Sequence, residues 1–322
     1  MNIIVASDEN YVPHLETLII SIGETNFKKE KILIHIFDGG ISHESKQIIK
    51  ELSKKYKNLL FKFYEMSEEK ISSLIGGEIS RDRSLSTYAR IFIPSIIKDE
   101  RALYLDVDAI VLEDLKEFYN CDMENYAIAG VRDINPISRH RNVGLKDNDI
   151  YINAGMILWN LKKCRELNIV EQFIKFIHMR KGKIDAMDQG TINGVLGSQN
   201  LIKVVSPKYN AITSLFQLKN KDILKIYNLP NYYSDEEIKE AIEKPVYVHY
   251  TPNMTTRPWV KNCKHPLKNK YWYFREKGNF KLKILEKDKR NIKNRFLGFV
   301  YRNFTSIFYK YILLKRRGIK DE

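Results

Sequence analysis

The run Ala102-Leu-Tyr-Leu-Asp-Val-Asp-Ala-Ile-Val-Leu112 ends an apolar segment in two carboxylates one residue apart, Asp106 and Asp108, and turns apolar again at once. In extended backbone, residues i and i+2 point to the same side. A carboxylate flanked by core residues is costly unless something compensates its charge. Two of them at one strand end suggest a divalent cation. Hard oxygen ligands suit Mg²⁺ or Mn²⁺, which keep part of their shell for substrate phosphates. The competing reading is a hydrogen-bonded strand-end turn, a common place for Asp. A second pair, Asp147 and Asp149, lies in a polar stretch that reads as a solvated loop.

Three further groups carry residue types with chemical use. Ala6-Ser-Asp-Glu-Asn-Tyr11 follows an apolar run. Its small residues would let the backbone approach a planar base, Asp8 and Asn10 offer hydrogen bonds, and Tyr11 offers a stacking face; an Asx-rich turn is the plainer alternative. Asn153-Ala154-Gly155 would expose backbone to a substrate, and Asp188-Gln189 would open a helix, where capping alone accounts for an Asp. Finally, Tyr247-Val-His-Tyr-Thr-Pro-Asn-Met-Thr-Thr-Arg-Pro-Trp259 ends a strand at His249. Its Arg257 suits bidentate contact with phosphate, and Trp259 could close over a ligand or anchor the core.

The elements that must position these groups follow from periodicity. Strands are expected at Asn2–Ser7, Lys31–Phe37, Leu59–Tyr64, Ala102–Leu105, Tyr126–Val131, Tyr151–Leu158, Leu201–Val205 and Val246–His249. Helices are expected at Pro13–Glu24, Ser42–Tyr56, Ser86–Ile97 with a kink or end at Pro94, Leu161–Met179 and from near Asp188; residues 265–280 read as irregular and aromatic. Alternating strands and helices give an α/β fold, an open and mostly parallel sheet with helices on both faces. Ligands in such sheets bind beyond the carboxyl ends of the strands. Asp8, Asp38, Asp106, Asp108, Asp133 and His249 all fall just after expected strands.

Hydrophobic residues make up 43% of the 322-residue chain and charged residues 29%, enough for a sizeable core. Cys121, Cys164 and Cys263 are odd in number and lack metal-like spacing, which fits a reducing compartment. No signal peptide and no membrane-spanning stretch is expected. Residues 281–322 hold 13 Lys or Arg against 4 Asp or Glu, so +9 of the +14 net charge sits there. That divides the chain into residues 1–280 and a basic tail, 281–322.

Taken together, these segments resemble family 8 glycosyltransferases, the retaining group that includes bacterial lipooligosaccharide α-galactosyltransferases and glycogenin. The carrying residues are 4–11, Phe-Asp-Gly-Gly-Ile-Ser (37–42), Ser-Thr-Tyr-Ala-Arg (86–90), Leu-Tyr-Leu-Asp-Val-Asp (103–108), Asn-Ala-Gly (153–155), Asp-Gln-Gly (188–190) and His-Tyr…Arg-Pro-Trp (249–259), spanning residue 2 to about 275. The resemblance implies a GT-A fold with a single Rossmann-like sheet, a UDP-hexose donor (galactose or glucose) and a glycan acceptor. By position, Ala6, Asp8, Asn10 and Tyr11 would hold uridine. Asp106, Asp108 and His249 would hold Mn²⁺, or Mg²⁺, on the diphosphate, with Val107 giving backbone contact. Arg90, Asp133, Asn153, Ala154, Asp188 and Gln189 would line the donor sugar, with Gln189 and Asp188 nearest the chemistry. The family usually reads His-x-x-Gly-x-x-Lys-Pro-Trp. Here His249 and Arg257 are two residues further apart, Pro252 stands near the glycine position, and Arg replaces Lys.

In the tail, Phe296–Leu314 carries apolar residues at helical spacing among Arg295, Arg302, Lys310 and Lys315 to Arg317. A basic, aromatic amphipathic helix reads as an anchor to an anionic membrane surface, with packing on the protein's own core as the alternative. The leading expectation is a cytoplasmic enzyme, peripheral on the inner face of the cell membrane, acting on a lipid-linked saccharide such as lipopolysaccharide. A sugar-nucleotide-binding, membrane-attached protein without transfer activity is the second reading. No motif supports nucleic-acid binding.

Overall fold

The computed structural model describes residues 1–26, 30–76, 85–252, 254–280 and 285–318. Among these, seven strands form a central sheet: β1 (Asn2–Ser7), β2 (Ile32–Asp38), β3 (Leu59–Glu65), β4 (Arg101–Leu105), β6 (Ile128–Arg132), β7 (Ile152–Asn160) and β8 (Ile202–Val204). Their order is β3-β2-β1-β4-β7-β6-β8. All neighbours run parallel except β7, which is antiparallel to both β4 and β6. Side chains alternate across each strand, so both faces build a core. Ile3, Val5, Leu103 and Leu105 join one cluster with Leu15 and Ile19 of the helix Val12–Thr25. Ile4, Ala102 and Tyr104 join the other, with Tyr88 and Phe92.

The expected α/β architecture is thus present, with one addition. β5 (Ala109–Val111), β9 (Ala211–Ile212) and β10 (Tyr247–His249) form a separate three-stranded sheet in the order β5-β10-β9. The strand ending in His249 therefore lies beside the central sheet and not within it. Asp106-Val-Asp108 is the short link between β4 in one sheet and β5 in the other.

Several helices differ from the periodicity reading. Pro94 does not end a helix; it sits in the first turn of Ile93–Ile96, after a 3-10 segment Leu85–Phe92. Proline lacks the N–H that a first turn does not need. Leu161–Met179 is two helices, Leu161–Glu166 and Ile169–Met179, because Asn168 adopts φ 51° between them. The stretch 265–280 contains a helix, Lys268–Arg275. The tail forms two helices, Ile292–Asn303 and Thr305–Gly318, with Tyr301 and Phe308 buried against the body. Residues 281–284 and 319–322, and the side chains of Leu314 and Lys315 to Arg317, lie outside the described set. Among the described residues no helix is long and apolar enough to cross a membrane.

Candidate functional site

The reversal of β7 brings Asn153-Ala154-Gly155 to the same sheet edge as the end of β4. Leu105 pairs with Met156, and the Asp106 amide donates to the Gly155 carbonyl at 2.8 Å. In the second sheet, His249 pairs with Ala109, and the Tyr250 amide donates to the Asp108 carbonyl at 3.0 Å. The Tyr247 hydroxyl joins the two sheets, lying 2.9 Å from the Asp106 carbonyl and 3.0 Å from that of Gly155. Side-chain ligand atoms of Asp106, Asp108 and His249 consequently fall within 4.8 Å of one another.

Within this group, His249 Nε2 is 3.1 Å from Asp108 Oδ1 and 3.8 Å from Asp106 Oδ2. The buried His249 Nδ1 has no hydrogen-bond partner among the described residues. Arg257 donates to Asp108 Oδ2 from Nε at 3.1 Å and Nη2 at 2.7 Å. Although burial opposes its charge, His249 and Arg257 hold the Asp108 carboxyl well below the usual carboxylate range. Burial likewise disfavours the imidazolium, yet Asp108 and Asp106 outweigh it and raise the His249 pKa. Two carboxylates and an imidazole make a donor set that fits Mn²⁺ or Mg²⁺. His249 Nε2, the ring nitrogen that faces both carboxylates, completes that donor set.

Gly155 has a more specific role than exposing backbone. A Cβ there would overlap Cε1 and Nδ1 of His249, so only glycine lets the ring reach Asp108.

A second cluster holds the other expected residues together. Arg90 donates to the Ala154 carbonyl at 2.6 Å and to Asp106 Oδ1 at 3.0 Å, and its guanidinium stacks 4.5 Å over Tyr104. Its Nε lies 2.6 Å from Asp188 Oδ2, close as an ion pair although not aligned as a hydrogen bond. Burial pushes the Asp188 carboxyl up to about 6, with Arg90 pulling the other way. Gln189 is fixed at both ends: Oε1 accepts from the Ala154 amide at 3.0 Å, and Nε2 donates to Asp133 Oδ2 at 2.9 Å. Asp133 also accepts from Asn135 and Asn153, at 2.8 and 3.1 Å.

Two cavities meet at Arg90 and Asp106. The smaller, about 300 Å³, is lined by Ala6, Asp8, Tyr11, Val107, Asp108 and Arg257 among others. The larger, about 610 Å³, is lined by Asp133, Asn153, Ala154, Asp188, Gln189 and His249, with further residues on its open side. Of the expected site residues, Asn10 is exposed and outside both linings. Asp38 is also elsewhere: it caps a turn through the Gly40 and Ile41 amides and pairs with Lys46. Conversely, Gly39, Met66, Thr87 and Tyr104 line the smaller cavity, and Ser214 and Tyr227 the larger, without having been singled out. Gly39, Thr87 and Tyr104 lie inside the segments that carry the family resemblance; Met66, Ser214 and Tyr227 carry no sequence signal.

A family model described as glycosyl transferase family 8 matches residues 2–263. The chain is 28% identical over 279 residues to general stress protein A of Bacillus subtilis (strain 168), which covers 85% of this chain and 92% of that protein. It is 23% identical over 274 residues to the lipopolysaccharide 1,2-glucosyltransferase of Escherichia coli (strain K12), covering 83% and 75%. A crystal structure of the galactosyltransferase LgtC in complex with donor and acceptor sugar analogues superimposes with a TM-score of 0.70 at 21% identity, covering 88% of this chain and 98% of that one. That likeness concerns the fold.

Two outcomes test this geometry. Gly155→Ala should weaken Mn²⁺ binding about tenfold or more, the scale on which disturbed ligand orientation acts, as read by calorimetry. The Asp188 carboxyl has a folded pKa above its unfolded one, so its stability contribution is full below about pH 4 and is lost as pH rises through about 6. The stability of Asp188→Asn relative to wild type should therefore rise between about pH 4 and pH 7 in unfolding experiments; a pH-independent difference would contradict the buried, proton-binding carboxyl.

Proposed function

The chain belongs to glycosyltransferase family 8, and we propose that it moves a hexose, galactose or glucose, from a UDP-sugar to a glycan acceptor with retention of configuration. The observation that carries this reading is the Asp106–Asp108–His249 cluster lying where two cavities join. A diphosphate spanning that junction would put uridine among Ala6, Asp8 and Tyr11 and the sugar against Arg90, Asp133, Asn153 and Gln189. Val107 would offer backbone to the nucleotide.

Asp106, Asp108 and His249 would hold Mn²⁺ or Mg²⁺, which when bound supplies positive charge to the departing diphosphate. Arg257 adds a fork of donors suited to phosphate oxygens. The bond from the anomeric carbon to the phosphate oxygen breaks, and a bond to the acceptor hydroxyl oxygen forms on the same face. The hydroxyl proton passes to the departing phosphate. A double displacement would need a free carboxylate beneath the anomeric carbon. Gln189 is an amide held at both ends, and Asp188 is held by Arg90. Both features favour same-face substitution, with an oxocarbenium-like sugar stabilised by preorganised dipoles.

The tail supports a lipid-linked acceptor, lipopolysaccharide or another cell-surface saccharide. Ile292, Phe296, Phe299 and Ile307 are exposed on its helices and Phe304 between them, Ile292 by 83%. Exposed aromatic and aliphatic side chains beside Lys293 and Arg295 suit the interface of an anionic membrane. The enzyme would then sit peripherally on the inner face of the cell membrane, with residues 1–280 catalytic.

Purified protein should release UDP from UDP-galactose or UDP-glucose only with Mn²⁺ or Mg²⁺ present, and Asp108→Asn should slow release by about a hundredfold or more. Metal-independent release, or an unaffected Asp108→Asn, would contradict the assignment. In flotation assays, joint replacement of Phe296, Phe299 and Ile307 by Ser should detach the protein from phosphatidylglycerol vesicles; undiminished flotation would remove the membrane role.

A further inference from the structure

We infer that the tail positions the phosphate-facing loop: Arg302, on the first tail helix, and Arg290, just before it, hold the backbone of Met254, and through it they set Arg257. The inference rests on the proposed role of Arg257 at the diphosphate.

The described residues of the loop between Thr251 and Trp259 are held partly by their own bonds, Thr256 Oγ1 donating to the Lys261 carbonyl at 3.0 Å, and partly from the tail. The loop is two residues longer between His249 and Arg257 than the family pattern, and Pro252 removes an amide donor near the glycine position. Met254 adopts φ 53°, a conformation that a non-glycine residue keeps only when its surroundings impose it. Those surroundings come from the tail. The Met254 carbonyl accepts from Arg302 Nη1 at 2.6 Å and from Arg290 Nη1 at 3.3 Å. Gly298, on the helix Ile292–Asn303, passes so close that a Cβ there would lie 2.5 Å from the same carbonyl.

The other end of the loop is held as well. The Glu286 amide donates to the Trp259 carbonyl at 3.0 Å, and the Lys261 amide donates to the Glu286 carbonyl at 2.9 Å. Asp288 fixes the donors themselves, accepting from Arg290 Nε at 3.0 Å and Nη2 at 2.9 Å, while its carbonyl accepts from Arg295 at 2.8 Å. The tail therefore grips the chain three residues before Arg257 and two residues after it. Trp259, stacked at 3.8 Å on His14, carries the constraint to the helix that follows Tyr11. A charged donor on a strained carbonyl is the strong kind of hydrogen bond, and removing it frees the loop to sample backbone conformations that misplace Arg257. Arg302 and Arg290 are positioning residues: they reach the donor site through Met254, not by touching substrate.

The test uses the full chain with Arg302→Gln and Arg302→Lys. Calorimetry with Mn²⁺ and UDP should show about tenfold weaker affinity for Arg302→Gln, the loss carried by one charge-assisted hydrogen bond, with partial recovery in Arg302→Lys. The donor KM should rise while the acceptor KM and vesicle flotation stay unchanged. Amide hydrogen exchange over residues 254–261 should quicken in Arg302→Gln and not in Arg302→Lys. Wild-type affinity and wild-type exchange in Arg302→Gln would overturn the inference. If the wild-type protein fails to bind UDP at all, the glycosyltransferase reading of the site falls, and the exchange measurement alone still decides whether the tail holds the loop. Should Arg302→Gln not fold, Arg290→Gln addresses the same carbonyl with the same readouts.

Discussion

Everything at this site turns on keeping the buried carboxylate of Asp108 charged. A carboxylate withdrawn from water is tolerable only with strong partners. Asp108 has two, the imidazole of His249 and the guanidinium of Arg257, each on a different stretch of chain. The neighbouring carboxylate, Asp106, leans on Arg90 and the Tyr104 hydroxyl. The proposed cation site is thus folded around the protein's own cations. Arg257 is the natural one to yield, because it is the more exposed of the two arginines.

That arrangement explains the two-sheet architecture. A parallel sheet alone would bring Asp8, Asp106 and Asp133 to one edge but leave no strand to deliver an imidazole between them. Reversing β7 presents Asn153 to Gly155 at the same edge, and routing the chain through Asp106-Val-Asp108 into β5 sets β10 beside it. Gly155 then clears the space into which the His249 ring swings. Sheet topology, one glycine and one tyrosine hydroxyl suffice to assemble residues 141 positions apart.

Much of this was readable beforehand, and the gaps have physical causes. Asp106 and Asp108 stood out because buried flanks make charge conspicuous, and the strand-end positions of Asp8 and Asp133 followed from simple alternation. That Asp38 would cap a turn while Asp106 would face a cavity was not readable, since both end parallel strands and differ only in what lies opposite. Helix breaks at Asn168 and the start at Pro94 escaped periodicity, which registers apolar spacing but not single backbone dihedrals. The helix Lys268–Arg275 was hidden because its buried face is aromatic and it is held by the distant Val12–Thr25, where His14 Nδ1 lies 2.7 Å from the Tyr271 hydroxyl. The tail's double attachment depends on Met254 and Gly298 being neighbours in space, a fact with no local trace in the sequence.

The proposed function stands or falls with Asp106, Asp108 and His249 binding one divalent cation. Pulsed electron paramagnetic resonance of the protein with Mn²⁺ and UDP tests it most directly. A directly coordinated imidazole nitrogen is expected in the Mn²⁺ spectrum, and it should be lost in His249→Ala. Bound Mn²⁺ with no nitrogen coupling in the wild-type protein, or coupling that survives His249→Ala, would contradict it.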